Sequence, residues 1–320
     1  VGVALVGVGR WGRRWLDLLQ RSRDVELVWV CDRVRPASLE ETSGVKFATD
    51  VQASLVDPRV QAIVLATPIE THGELALSAL EHGKDVLVEK PVATDLLSFE
   101  RLVARARERK RLLAVNHLLL HHPAVRRMRD EIQRGTIGRV RGIVSLRVSQ
   151  GTRELECPWW TLAPHDLALI DNLVGLPSAV SLEQHGTETR ARLVAAEFEG
   201  RLLLSLCGER KVRLFAVQGT EGTLLFDDLQ PHPLTLHRRE GTRLPLDERL
   251  LRGRLGFGEP MPLPRTPPLE TALEVFVALV RAGLMSSTND EAHMRRVVAS
   301  LERGRAFVPP QKLLALEVPA

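Results

Sequence analysis

The chain has 320 residues, 44% hydrophobic and 26% charged, with a formal net charge of +4. That length accommodates two ordinary domains, and the composition excludes a disordered or fibrous protein. No stretch reaches the roughly 18–20 uninterrupted apolar residues of a membrane span, the first residues read as a folded strand rather than a signal peptide, and Cys31, Cys157 and Cys207 form no CxxC pattern, so neither a disulfide framework nor a structural zinc is expected.

In chain order, Val1–Val8, Val25–Cys31, Ala62–Ala66, Asp85–Glu89 and Leu112–Asn116 are short apolar runs that predict buried strands. Between them, Trp11–Arg21, Ile69–His82 and Asp95–Lys110 carry apolar residues at helical spacing, with Gly83 where a C-terminal cap belongs. The alternation predicts an α/β domain over residues 1–120, a parallel sheet covered by helices. The regime then changes. A helix over Pro123–Arg134, closed by Gly135, precedes period-two strands at Arg139–Gln150, Ala179–Gly186, Arg190–Phe198, Arg201–Cys207 and Lys211–Gln218. An apolar helix over Pro164–Val174 interrupts them, Leu251–Pro268 reads as a Gly- and Pro-rich surface loop, and Leu269–Ala282 and Asp290–Arg303 close the chain as helices. Residues 121–320 are therefore expected to form an α+β domain around a large, mainly antiparallel open sheet. One face is expected to pack on helices and the other to serve a partner subunit, while the last helices can pack back on the first domain.

The basic residues are dispersed. The densest run, Arg101–Arg111, is threaded by Leu102 and Ala106 and runs into Leu112 and Leu113, which makes it the solvated face of an amphipathic helix rather than a nucleic-acid surface. The expectation is a cytoplasmic protein that engages neither membrane nor nucleic acid.

Gly7-Val8-Gly9-Arg10-Trp11-Gly12 lies between an apolar strand and a helical pattern. Gly7 suits a tight turn, Gly9 lets backbone approach a pyrophosphate, and Gly12 permits close strand–helix packing, with the helix N-terminus supplying amide donors. Asp32 ends the second strand, where a carboxylate can accept bonds from adenosine ribose hydroxyls. This context predicts a Rossmann-type dinucleotide site; a glycine-rich turn in another α/β fold is the alternative. Asp32 favours NAD, whereas Arg33 could pair with the 2′-phosphate of NADP if Asp32 swung aside.

Ala66-Thr67-Pro68 with His72, and Glu89-Lys90-Pro91, sit at carboxyl ends of strands, where open α/β sheets bind ligands. Lys90 is one of six lysines in a chain with 44 basic residues. An ammonium there can hold a substrate hydroxyl and assist proton transfer, or simply pair with Glu89. In Trp159-Trp160-Thr161-Leu162-Ala163-Pro164-His165-Asp166, Pro164 suits the first turn of a helix and puts His165 near its start, where a neutral imidazole could accept an alcohol proton or serve structure alone. Asp166 should point away from that ring. His117, His121 and His122 could line a polar substrate pocket or form a solvated loop. No pattern argues for a catalytic metal.

Together these residues resemble the glucose–fructose oxidoreductase and inositol dehydrogenase (Gfo/Idh/MocA) family. The likeness runs through the glycine fingerprint, Ala66-Thr67-Pro68 with His72, Glu89-Lys90-Pro91, Asn116–Val140 and Trp160–Gly175, and Gly9–Gly12 with Leu162–Leu167 is most similar to its nucleotide-sugar dehydrogenase branch. The resemblance implies a Rossmann domain binding NAD or NADP through residues 7, 9–12, 32, 33, 66–68, 72, 89 and 90. It also implies a substrate domain used for dimer or tetramer formation, and hydride transfer between nicotinamide and a carbinol carbon of a sugar or nucleotide sugar. Lys90 matches the family lysine on the reacting hydroxyl and His165 the general acid/base, with His117, His121 and Thr161 at the substrate. The family usually has an aspartate four residues before the histidine; here it is Thr161, which carries no charge, so a non-catalytic dinucleotide-binding sensor is the competing expectation.

Overall fold

The computed structural model describes residues 1–39, 44–152, 157–177, 179–238, 243–285 and 291–305. In chain order the elements are β1 (Gly2–Val6), α1 (Arg10–Arg21), β2 (Glu26–Cys31), β3 (Lys46–Ala48), α2 (Gln52–Val56), β4 (Ala62–Leu65), α3 (Ile69–Glu81), β5 (Asp85–Glu89), α4 (Leu96–Arg109) and β6 (Leu113–Asn116). A 3-10 turn (Leu118–His121) leads to α5 (Pro123–Gln133), β7 (Val140–Val148), β8 (Gly151–Thr152), α6 (Pro158–Val174), β9 (Ala179–His185), β10 (Glu188–Val194), β11 (Glu199–Ser205), β12 (Cys207–Gly208) and β13 (Val212–Gly219). There follow β14 (Thr223–Asp227), β15 (Leu234–His237), α7 (Glu248–Leu255), β16 (Glu259–Pro260), α8 (Pro268–Arg281) and α9 (Glu291–Arg305). The chain divides into two compact units: Val1–His117 with Leu269–Val298, and Leu118–Pro268 with the described residues of Ala299–Ala320.

In the first unit six strands pair in parallel in the order β3-β2-β1-β4-β5-β6. The order reverses between β1 and β4, which opens a crevice at the carboxyl ends of the strands, the Rossmann arrangement. Strand period dictates the two cores. Val3, Leu5, Val64 and Leu87 pack with Trp15 and Leu19 of α1 and Phe276 of α8. Ala4, Val6, Ile63, Val86 and Val88 pack on the other side with Leu80 of α3, Phe99 and Leu102 of α4, and Met294 and Val298 of α9. Residues buried on both faces of a strand read as continuous apolar runs, which is why these strands are visible in the sequence. The elements β3 and α2 have no counterpart there, because three and five residues are too few to display a period.

In the second unit eight strands pair in the order β16-β15-β14-β13-β7-β11-β10-β9, antiparallel except for the central β7–β11 pair. Val144 and Leu146 of β7 pack with Leu214, Leu225 and with Leu251 and Leu255 of α7. Ser145 and Arg147, at the alternate positions, bond to α6 instead. Three sequence expectations are corrected here. Leu251–Pro268 is not loop throughout: α7, capped by the Asp247 side chain on the Leu250 amide, and β16 occupy part of it. With only Leu251 and Leu255 buried, α7 shows too little periodicity to stand out. The strand expected to reach Phe198 ends at Val194, because Ala195 N–H bonds Phe198 O at 3.0 Å and turns the chain into β11. Finally, α6 starts at Pro158, not Pro164; its first proline occupies the first turn and the second lies inside a helix almost wholly buried, where packing of Trp159, Trp160, Leu162 and Ala163 offsets the lost hydrogen bond. No helix among the described residues is long and apolar enough to cross a membrane.

Candidate functional site

The loop after β1 depends on its glycines. Gly7 has φ +88°, and a Cβ there would lie 2.8 Å from the Ala66 carbonyl, so only glycine fits. A Cβ on Gly12 would be driven into the Gly7 carbonyl oxygen, which is the close strand–helix packing the motif demands. Gly9 differs: it caps α1, and a Cβ on it would meet nothing within 4 Å. Open space thus faces the first turn of α1, which holds no acidic residue to neutralise its amide donors. Asp32 reaches back to this loop, its Oδ2 accepting the Val8 N–H at 2.5 Å. A carboxylate so anchored presents its other oxygen without having to swing. Arg10 and Arg33 are exposed, and Trp11 is half-buried with the Arg14 guanidinium 4.7 Å above its ring. The loop therefore fits a dinucleotide pyrophosphate, and Asp32 fits a ribose diol.

At the carboxyl ends of β4 and β5, Ala66 N–H still bonds Val6 O at 2.8 Å, and the Thr67 hydroxyl bonds that of Thr71. Pro68 precedes α3. His72 is buried, Nδ1 lying 2.8 Å from Pro91 O and Nε2 2.9 Å from Thr67 O. Burial holds its pKa below the ordinary histidine value, so the neutral ring donates to one carbonyl at a time. It ties the turn after β4 to the turn after β5. Glu89 is buried, and its Oε1 accepts from Trp15 Nε1 and Asn116 Nδ2, both at 2.8 Å. Lys90 follows, half-buried, with a cis peptide to Pro91.

The three histidines expected together are divided. His117 ends the first unit, buried, its ring edge-on to His293 at 5.3 Å between centroids. His121 and His122 belong to the second. Burial, and for His121 also the charge of Arg126, pushes each down to about 4, so both are neutral at physiological pH. His122 caps α5, its Nδ1 accepting the Ala124 N–H at 3.1 Å, and its ring lies 4.9 Å from Phe226. A solvated loop does not describe any of them.

On α6, Thr161 and His165 are half-buried and one turn apart, so they share a face. His165 is two turns inside the helix rather than at its start, beyond the reach of the N-terminal dipole. Asp166 points elsewhere, as expected, and is fully buried: it takes Arg147 Nε at 3.1 and 3.2 Å, Arg147 Nη2 at 2.9 Å and Ser145 Oγ at 2.9 Å. Trp15, Asn116, Ser145 and Arg147 were not singled out by sequence reasoning. A signal existed for Arg147: in the alternating strand Ser145-Leu-Arg147 two polar side chains, one of them charged, stand two positions apart, on a face that must be buried if the sheet packs on helices.

Residues 1–117 match a family model described as "Oxidoreductase family, NAD-binding Rossmann fold". Among curated proteins, the chain is 36% identical over 138 residues to 1,5-anhydro-D-fructose reductase of Ensifer adhaerens, covering 42% of this chain and 41% of that one. It is 36% identical over 135 residues, with the same coverages, to dTDP-3,4-didehydro-2,6-dideoxy-alpha-D-glucose 3-reductase of Actinomadura kijaniata. The aligned stretch thus spans about two fifths of these relatives' length. A solved structure from Magnetospirillum magnetotacticum MS-1 is similar throughout, with 27% identity, a TM-score of 0.81, and coverage of 95% of this chain and 99% of that one. Glycine loop, strand order and these matches agree: residues 1–117 match the Gfo/Idh/MocA oxidoreductase family model and have the strand order of its Rossmann fold.

Proposed function

We propose that the chain is an NAD(P)-dependent oxidoreductase acting on a carbinol carbon of a sugar or nucleotide sugar. The observation that carries this reading is the glycine loop at the point where the parallel sheet reverses, with Gly9 open, Gly7 and Gly12 closed, and Asp32 anchored on the Val8 amide. The named relatives, a sugar reductase and a nucleotide-sugar reductase, support the substrate class.

The bound dinucleotide supplies or accepts the hydride at nicotinamide. The chain's residues do the rest. Amides of the loop and of α1 hold the pyrophosphate, with Arg10 and Trp11 at its edge and residues 66–68 beside it. The free oxygen of Asp32 accepts from the adenosine ribose, so NAD is preferred, and Arg33 is the neighbour available to a 2′-phosphate in NADP. His72 and Glu89 act at one remove, fixing the turns that carry Thr67 and Lys90. Lys90 donates to the reacting oxygen, and His165 takes the hydroxyl proton during oxidation and returns it during reduction. Thr161, on the same face, His117 and the neutral His121 serve substrate hydroxyls. The same reading makes the protein a cytoplasmic homodimer or homotetramer assembled through the eight-stranded sheet, with no nucleic-acid partner.

One residue favours a second reading. Thr161 replaces the carboxylate usual in the family, so a dinucleotide-binding sensor without turnover keeps the fold and loses the reaction. The two separate in one assay: purified protein with NAD or NADP and a panel of sugars and nucleotide sugars, followed by nicotinamide absorbance. Turnover that Lys90→Ala abolishes supports the enzyme. Tight cofactor binding with no turnover on the whole panel supports the sensor.

A further inference from the structure

The helix that carries His165 lacks the feature that usually fixes a helix's rotation. An amphipathic helix turns its apolar stripe inward, whereas α6 is buried on nearly every side, with Trp159, Leu162, Leu167, Leu169 and Ile170 all inside. Apolar packing alone distinguishes poorly between rotations of such a cylinder. Against this background the pair Arg147–Asp166 stands out: side-chain exposures are 6% and 0%, and the carboxylate receives three contacts from the guanidinium and one from Ser145 Oγ. A buried pair of this kind contributes little stability over well-packed apolar side chains, because both ions lose their hydration. It does supply direction. The forked guanidinium meets the carboxylate in one geometry, and it is anchored on the central strand β7.

We infer that Arg147 and Asp166 are positioning residues, a clamp that sets the rotation of α6 and thereby aims His165 and Thr161. The inference rests on the proposed role of His165. Asp166 lies about 100° around the helix from its neighbour His165, so it touches no part of the reacting face, yet it cannot turn without carrying that face along. With side-chain atoms roughly 6 Å from the axis, a rotation of about 20° displaces the imidazole by about 2 Å. A misplacement of about 1 Å is already enough to lose roughly a hundredfold in rate.

The test uses the 320-residue chain carrying Arg147→Met with Asp166→Leu, which removes the charges of the pair and roughly keeps volume. NADH affinity, measured first, is expected to stay near that of the parent, since the glycine loop belongs to the other unit, and thermal melting establishes that the variant folds. The expected result is a fall in kcat of about a hundredfold with a smaller change in KM, and a shifted, broadened His165 imidazole resonance in the protein labelled with 13C-histidine. Arg147→Lys, which retains charge without the fork, is expected to fold and to show the same defects. A folded double variant with unchanged kcat and an unmoved His165 resonance overturns the clamp. If the double variant does not fold, Arg147→Lys decides, and full rescue by lysine overturns it equally. Should the parent turn over nothing, the oxidoreductase reading fails, while the resonance still reports whether the clamp aims the ring.

Discussion

The Asp32 side chain combines two tasks, and Asp32→Asn separates them. The amide oxygen of asparagine can still accept the Val8 N–H that Oδ2 accepts at 2.5 Å, so the loop keeps its anchor, while the charge disappears. A 2′-phosphate of charge about −2 placed roughly 5 Å from the carboxylate is repelled by about 2 kcal/mol in a water-like dielectric and about 3 kcal/mol at half that value. Removing the charge should therefore tighten NADPH binding by roughly 30- to 150-fold. NADH should weaken by only about fivefold, as the ribose bonds pass from charge-assisted to neutral, about 1 kcal/mol. The half-buried Trp11 beside the loop is placed to report both titrations by fluorescence quenching, and raising salt should shrink the NADPH effect alone. Asp32→Ala is the structural control: it also strips the Val8 amide of its acceptor, costing about 1–3 kcal/mol in stability. The reasoning is refuted if the unaltered protein binds NADPH as tightly as NADH, or if the asparagine variant leaves their ratio within about twofold.

Three further outcomes follow from named contacts. Lys90→Met should lower kcat/KM by about a thousandfold or more while NADH affinity stays within a few-fold, read by steady-state kinetics and fluorescence titration. Gly12→Ala should destabilise the first unit by about 1–2 kcal/mol, the collision with Gly7 O outweighing the helix propensity gained, and should abolish measurable NADH binding; thermal melting with and without cofactor checks it. Because His121 is depressed from 6.5 to about 4, the unfolded chain binds the extra proton between those values. Stability should then be complete above pH 6.5 and fall as pH drops toward 4, by at most about 3 kcal/mol from this ring, and His121→Asn should flatten that slope in denaturant melts.

The parallel sheet was legible because strands buried on both faces read as unbroken apolar runs, and the glycine loop because backbone geometry at positions 7 and 12 tolerates no other residue. Lys90 was conspicuous for its scarcity and its place after a strand, and Asp32 for its position after the second. Where periodicity was short or interrupted, it failed. The three-residue β3 and the eight-residue α7 carry too few turns of pattern, and Pro164 looked like a helix start because the energy that carries α6 through a proline comes from surrounding side chains.

What the chain determines locally, then, is its strands, its caps and its phosphate loop, all of which follow from neighbours within a few residues. The tertiary structure decided the partners. Asp32 on the Val8 amide, His72 between two turns, Glu89 between Trp15 and Asn116, and Arg147 on Asp166 join residues 19 to 74 positions apart, except for the contact of His72 with Thr67. No local propensity encodes such contacts. They form because burial withdraws water from polar groups, and each group must then find whatever donor or acceptor the packing of the sheets brings within reach.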